Sequence, residues 1–361
     1  MSAVVLIGAA ASVALYASRS DGPSLAEPVA AAAQTAVPAA ERRAAASLLR
    51  SKLGSGKAVT LAFGGDVNFE TTGYLLESSP EKVLGSVSPV LRAADIAMVN
   101  LETTVTGRGT PAPKAFVYRA PTSAFAALRS AGVDVATEAN NHGMDYGVVG
   151  LEDSLAAAHA ARFPVVGIGL NGARAYAPYR VMVRGQRIAI IGATQVLDDN
   201  LISEWTAGPG KPGLASAKDE PRLIRAVRQA RATSDTVVVY LHWGIELQSC
   251  PSEDQRRLAA ALVAAGADVV IGSHAHVLLG AGRLEKALVS YGLGNFAFGA
   301  FRTATSQSGV LTVTVTGRRI DGYRWSPAQI SGGVPYLLDG SARAEGIRAW
   351  GSLRACTGLS R

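Results

Sequence analysis

The chain has little cysteine, few aromatic residues and little charge for its length. Only Cys250 and Cys356 occur among 361 residues. Neither has CxxC spacing, which argues against a thiolate metal knuckle or a CxxC redox centre. In an exported protein the two are expected to join as a disulfide, and in a reducing compartment to stay buried thiols. Aromatic residues make up 6%. With no aromatic platform and no Cys/His finger spacing, no nucleic-acid partner is expected. The sequence carries no ATP-binding loop and no run of apolar segments that would make a transmembrane bundle. Charged residues are 17% against 48% hydrophobic, without a long like-charge block. That composition is globular and not disordered.

The net charge is +7. Part of it is clustered, with Arg222, Arg225 and Arg228 at helical spacing and Arg318-Arg319 adjacent. Such a stripe reads either as a solvated helix face or as attraction to a phosphate ester, an acidic polymer or lipid headgroups.

Residues Ala3 to Ala17 are almost wholly apolar. They are short of the roughly 20 residues of a span and suit a signal-peptide core, although the basic flank is missing and the first charge is Arg19. Residues 1–20 therefore read as a signal peptide or membrane anchor, which places the protein outside the cytoplasm, anchored or secreted. Residues 21–57, rich in Ala, Ser and Pro, read as a flexible linker, with a short helix possible over Glu41 to Leu53. The folded domain is expected over 58–340, with a C-terminal tail over 341–361.

Within 58–340, strand and helix patterns alternate, which predicts an α/β domain. Phe125 to Ala131, Leu151 to Ala161 and Pro221 to Arg231 read as helices. Ser252 and Gln255 form a capping box for a helix reaching Ala265. Ile188 to Ile191 and Val289 to Tyr291 read as strands. Val310 to Val315 alternates Thr with apolar residues, which predicts an antiparallel strand with one face more exposed.

Short apolar runs end repeatedly in polar residues. Leu61-Ala62-Phe63 leads to Asp66 and Asn68, and Ile96 to Val99 leads to Asn100-Leu101-Glu102. Val133 to Thr137 leads to Asn140-Asn141-His142 and Asp145. Val237 to Leu241 ends in His242, and Asp268 to Ile271 leads to His274 and His276. Side chains offered at the carboxyl ends of strands share one crevice. Asp66, Glu102, Asn141, His242, His274 and His276 are the candidate metal ligands. Carboxylate, amide and imidazole donors suit Mn, Fe or Zn. Six donors exceed one tetrahedral zinc with an open position and match two ions sharing a carboxylate, a pair that can hold a phosphoryl group and activate water. His142 follows a candidate ligand and is the candidate general acid, with Asp145 as the carboxylate that orients its ring. Taken singly, each feature has a plain structural reading, as a turn residue or a satisfied core histidine. Asn295 would touch the site or form a turn beneath it.

These segments resemble the CapA family, the poly-γ-glutamate capsule synthesis proteins, whose domain is similar to the calcineurin-like metallophosphoesterases. The matching pieces are Gly65-Asp66-Val67, Asn100-Leu101-Glu102, Asn140-Asn141-His142 through Gly147, His242-Trp243-Gly244-Ile245-Glu246, Gly272-Ser273-His274-Ala275-His276 and Tyr291 through Phe296. They run in the family's order over Ala58 to Phe298. The resemblance implies a metallophosphatase-like four-layer sandwich, with two mixed β-sheets flanked by helices. It implies metal-ligand roles for the six residues above and a proton donor at His142. It also implies an anionic polymer or phosphoester substrate, and membrane-bound polymer synthase subunits as partners. Asn68 takes the place where the wider phosphoesterases carry a His, and Glu102 the place of an Asp, so one metal position is expected to differ. Three classes of function follow: a metal-dependent hydrolase, a non-catalytic accessory subunit, or a polymer-binding module with a structural metal.

Overall fold

The structure is a computed structural model that describes residues 53–361, residue 301 excepted. The segments read as leader and linker lie outside the described residues, apart from the last five of the linker. No helix among the described residues is long and apolar enough to cross a membrane.

Two mixed sheets form the centre. The first contains β1 (Val59–Val67), β2 (Ile96–Leu101), β3 (Val135–Thr137) and β4 (Val165–Val166), joined side by side in parallel. The second is built on β5 (Tyr179–Val183), β6 (Gln186–Thr194), β7 (Thr236–Trp243), β8 (Val269–His274), β9 (Ala281–Leu284) and β10 (Ala287–Ser290), in the order β9-β10-β8-β7-β6-β5. Its centre is parallel and both edges are antiparallel. The chain then returns to the first sheet with β11 (Asn295–Ala297), β12 (Gln307–Thr316), β13 (Arg319–Ser331) and β14 (Val334–Leu337). β12 pairs antiparallel with β1, and the short β11 pairs parallel with the end of β1. On β12, Thr312 and Thr314 are half-buried while Val313 and Val315 are buried, so the alternating Thr pattern marks its more open face.

Side-chain alternation sorts the layers. Leu61, Phe63 and Met98 of the first sheet share one buried cluster with Ile188, Ile190, Val238 and Tyr240 of the second. The intervening Ala62, Ala97 and Val99 point the other way, into a cluster with Phe125 and Leu128 of α1 (Ser123–Ser130) and Ala157 of α2 (Gly147–Ala160). Val237, Val239 and Leu241 likewise pack against Leu223 of α3 (Glu220–Thr233) and Leu258 of α4 (Glu253–Ala265). A period-two strand can supply two apolar faces only when both are covered. The result is helix, sheet, sheet, helix. Tyr240 Oη ties the sheets together by donating to the Gly64 carbonyl at 2.7 Å.

Residues after 340 fold as well. They form α5 (Gly340–Ser352), whose Trp350 stacks on Trp325 of β13 with ring centroids 4.9 Å apart. Ser360 exchanges backbone hydrogen bonds of 2.8 and 3.0 Å with Arg283 at the edge of the second sheet. Cys356 is disulfide-bonded to Cys250, in the loop that follows β7.

Candidate metal centre

The carboxyl ends of β1, β2, β3, β7 and β8 meet at one edge of the sandwich. Asp66 reaches that edge through an irregularity in β1, where the register shifts between Phe63 and Asp66. Gly65 makes this possible, because a Cβ there would lie 1.9 Å from the Gly294 carbonyl oxygen. His274 and His276 stand at φ 92° and 56°. That region is unfavourable for a residue with a Cβ and, where it occurs, is held by the surrounding structure at functional sites.

Asp66, Glu102 and His242 are fully buried and offer one donor atom each within 4.8 Å of one another. Glu246, His274 and His276 form a second such group. The groups adjoin, since His276 Nδ1 is 3.7 Å from Asp66 Oδ2 and His276 Nε2 is 3.9 Å from Glu102 Oε1. His242 Nε2 lies 2.7 Å from Asn141 Oδ1 and 3.1 Å from His274 Nδ1. All six candidate ligands thus converge.

Neither oxygen of Glu102 has a hydrogen-bond partner, although both are buried. Burial, with the nearby Asp66 charge, pushes the Glu102 carboxyl well above its usual range. Burial also raises Asp66, against the opposing pull of His276 and of hydrogen bonds from Asn100, Ser273 and His274. The imidazoles move the other way. Burial takes His242 well below the ordinary histidine range and His274 to about 3. Neutral imidazoles beside the unpartnered, buried carboxylate of Glu102 are the ligand forms a divalent cation needs, and a cation would compensate the buried negative charge. The donor set therefore fits a divalent transition metal.

His142 stands beside this cluster. Its Nδ1 is 2.6 Å from Asp145 Oδ2 and its Nε2 is 3.8 Å from Glu102 Oε1. Burial lowers its pKa, and the Asp145 hydrogen bond opposes that shift. With Asn141, His276, Asn295 and Phe298 it lines a cavity of about 390 Å³. Asn295 Oδ1 lies 2.8 Å from His276 Nδ1. The Asn68 side chain is turned to its own loop, where Oδ1 accepts from the Glu70 N–H at 3.1 Å.

Several residues of the site escape sequence reasoning. Asn100 Nδ2 donates to Asp66 Oδ1 at 2.8 Å and lies 3.1 Å from His242 Nδ1. Asn140 in turn donates to Asn100 Oδ1 at 2.9 Å and accepts from the His142 N–H at 2.9 Å. Both asparagines sit inside the motifs, so position beside a ligand was their only signal. Lys114 had none. Its ammonium is 3.0 Å from Asp145 Oδ1 and 3.5 Å from Asp198 Oδ2, and it donates to the Asn141 carbonyl. The ring of Tyr118 stacks on His142 with centroids 4.1 Å apart, while its N–H donates to Asp145 Oδ2 at 2.6 Å. Trp243, left without a role by the sequence, is buried and donates to the Tyr291 carbonyl at 2.9 Å.

A model of the family described as bacterial capsule synthesis protein PGA_cap matches residues 60–300. The PGA biosynthesis protein CapA of Bacillus subtilis is 32% identical over 239 residues, covering 65% of this chain and 61% of that protein. A probable polyglutamine synthesis accessory protein of Mycobacterium tuberculosis H37Rv is 29% identical over 191 residues, 51% of this chain and 50% of that protein. The chain thus spans less than two thirds of the length of either of these two relatives. Among solved structures, the 5'-nucleotidase of Candida albicans superposes with a TM-score of 0.42 at 10% identity, over 81% of this chain and 56% of that one.

Proposed function

The chain belongs to the bacterial capsule synthesis protein family PGA_cap, and from that premise we propose that it serves poly-γ-glutamate or related capsule production outside the cytoplasmic membrane through a metal-dependent hydrolytic centre. The observation that carries the hydrolytic part is the His142–Asp145 pair set against the buried carboxylate–histidine cluster. Asp66, Glu102, Asn141, His242, His274 and His276 are the residues proposed to hold metal, as Mn, Fe or Zn at up to two positions. When bound, such ions supply Lewis-acid polarisation of a phosphoryl or acyl oxygen and ease the deprotonation of water.

The chain's own groups do the rest. Asp145 takes the Nδ1 side of His142, which leaves Nε2 as the atom that exchanges a proton with the substrate. A ring whose pKa is lowered by burial is a stronger acid when charged, and Nε2 gives that proton to the leaving atom. The stacked Tyr118 fixes the ring plane. The Cys250–Cys356 disulfide supports an oxidising compartment.

A second reading, a non-catalytic accessory subunit of a membrane polymer synthase, is favoured by the description of the mycobacterial relative as an accessory protein. Complementation of a gene deletion separates the two. Deletion is expected to abolish surface polymer, and His142→Ala is expected not to restore it. Full restoration by His142→Ala would leave the accessory role and remove the catalytic one, and unchanged polymer on deletion would remove both.

A further inference from the structure

The arginine stripe of α3 builds a second site away from the metal centre. Arg222 and Arg225 line a cavity of about 350 Å³ together with Arg180, Tyr176, Gly172 and Gln229. Among the described residues, none of the three arginines is paired with a carboxylate. The acids nearest in sequence are engaged elsewhere. Asp219 caps the helix by accepting from the Arg222 N–H at 3.2 Å. Glu220 is paired with Arg257 at 2.6 Å. Asp235, just past the end of the helix, is paired with Arg187 at 2.7 Å.

The Arg222 head is held in place. Its Nη1 donates to the Ala207 carbonyl at 3.0 Å, and its guanidinium lies over the Tyr176 ring at 4.7 Å. Gly172, in the short helix Gly172–Ala175, makes the space, because a Cβ there would lie 1.8 Å from Arg222 Nη2. Arg180 is anchored by Nη1 to Thr233 Oγ1 at 2.7 Å and Ser234 Oγ at 3.0 Å. Thr194 at the end of β6 is opposite His242 and bridges to Ser216, so α3 begins at the sheet edge that carries the metal centre.

Arg222, Arg225 and Arg180 bring positive charge without a carboxylate partner to the walls of one cleft, and such a field attracts an anion. Their planar forks match carboxylates two bonds at a time, and an anchored fork loses less freedom on binding. A chain with a carboxylate on every residue engages several such forks at once. We propose that this cleft is an anchoring site for the carboxylates of an acidic polymer, separate from the reacting centre. The choice of polymer rests on the capsule reading above.

Binding of labelled poly-γ-glutamate to the whole protein, followed by fluorescence anisotropy at about 50 mM salt to limit screening, tests this. Arg180→Gln/Arg225→Gln is expected to weaken binding at least about tenfold with metal content unchanged. Gly172→Ala is expected to weaken it comparably with no change of net charge, because it displaces the Arg222 head. Wild-type affinity in both variants would overturn the cleft, and wild-type affinity in Gly172→Ala alone would reduce it to diffuse attraction and overturn the built site. Binding to phosphatidylglycerol vesicles without binding to the polymer would overturn the choice of occupant. No polymer binding by the wild-type protein would also overturn the cleft, while the capsule reading would still be decided by polymer output in cells.

Discussion

His142 Nδ1 lies 2.6 Å from Asp145 Oδ2, and the same carboxylate oxygen accepts the Tyr118 N–H at 2.6 Å. One carboxylate therefore fixes both the tautomer of the ring and the backbone beneath the aromatic residue stacked on it. Removing a general acid typically costs about 10²–10⁴ in rate. His142→Ala is expected to lower kcat on a chromogenic phosphodiester by that factor while keeping its metal. Asp145→Asn is expected to give a smaller loss in kcat, because the ring stays but its orientation is no longer enforced. Unchanged kcat in both variants would remove the proton-donor role.

Lys114 joins Asp145 to the Asn141 carbonyl. Partners that orient a ligand and its neighbours are worth about 10–100-fold in metal affinity or activity. Lys114→Met is expected to lower kcat and metal affinity within that range with KM less affected. A rise in KM alone would make Lys114 a substrate contact.

Glu138 is fully buried and neither of its carboxylate oxygens has a hydrogen-bond partner. Burial raises its pKa to about 8 from an ordinary 4.5. The folded pKa exceeds the unfolded one, so the folded state binds the extra proton. Its contribution to stability is complete below about pH 4.5, falls as pH rises and is gone above about 8. Glu138→Gln is expected to flatten the decline in Tm across that window. An identical Tm–pH curve would show that Glu138 does not titrate there.

The disulfide closes a separation of 106 residues. In the chain-entropy model a loop near that size stabilises by about 4–5 kcal/mol, and often by less. Cys250→Ser/Cys356→Ser is expected to lower Tm, with the wild-type Tm under reductant falling to match it. Two free thiols titrated in unreduced, denatured protein would contradict the bond.

Much of the fold was legible because its signals are local. The Ser252 side chain accepts from the Gln255 N–H at 3.2 Å, and Gln255 Oε1 accepts from the Ser252 N–H at 2.9 Å, the reciprocal pair that the spacing implies. The apolar runs before Asp66, Asn100, His242 and His274 are strands, and the fully buried run of β7 is what a central parallel strand requires. What stayed hidden depends on distant partners. Lys114 comes from an aperiodic loop. The Arg222 head needs a missing Cβ at Gly172, fifty positions away. Nothing in residues 341–361 announces that Trp350 meets Trp325. The left-handed backbone at His274 and His276 is imposed by the loop and has no sequence mark.

The central claim is that the buried cluster at the strand ends is a divalent metal centre. Elemental analysis of protein purified without chelator tests it most directly, comparing wild type with His274→Ala/His276→Ala after confirming that both are folded. The expected result is Mn, Fe or Zn bound by the wild type at up to two ions per chain and most of it lost from the double variant. Equal metal content in the two proteins, or none in a wild type supplied with all three ions, would contradict it.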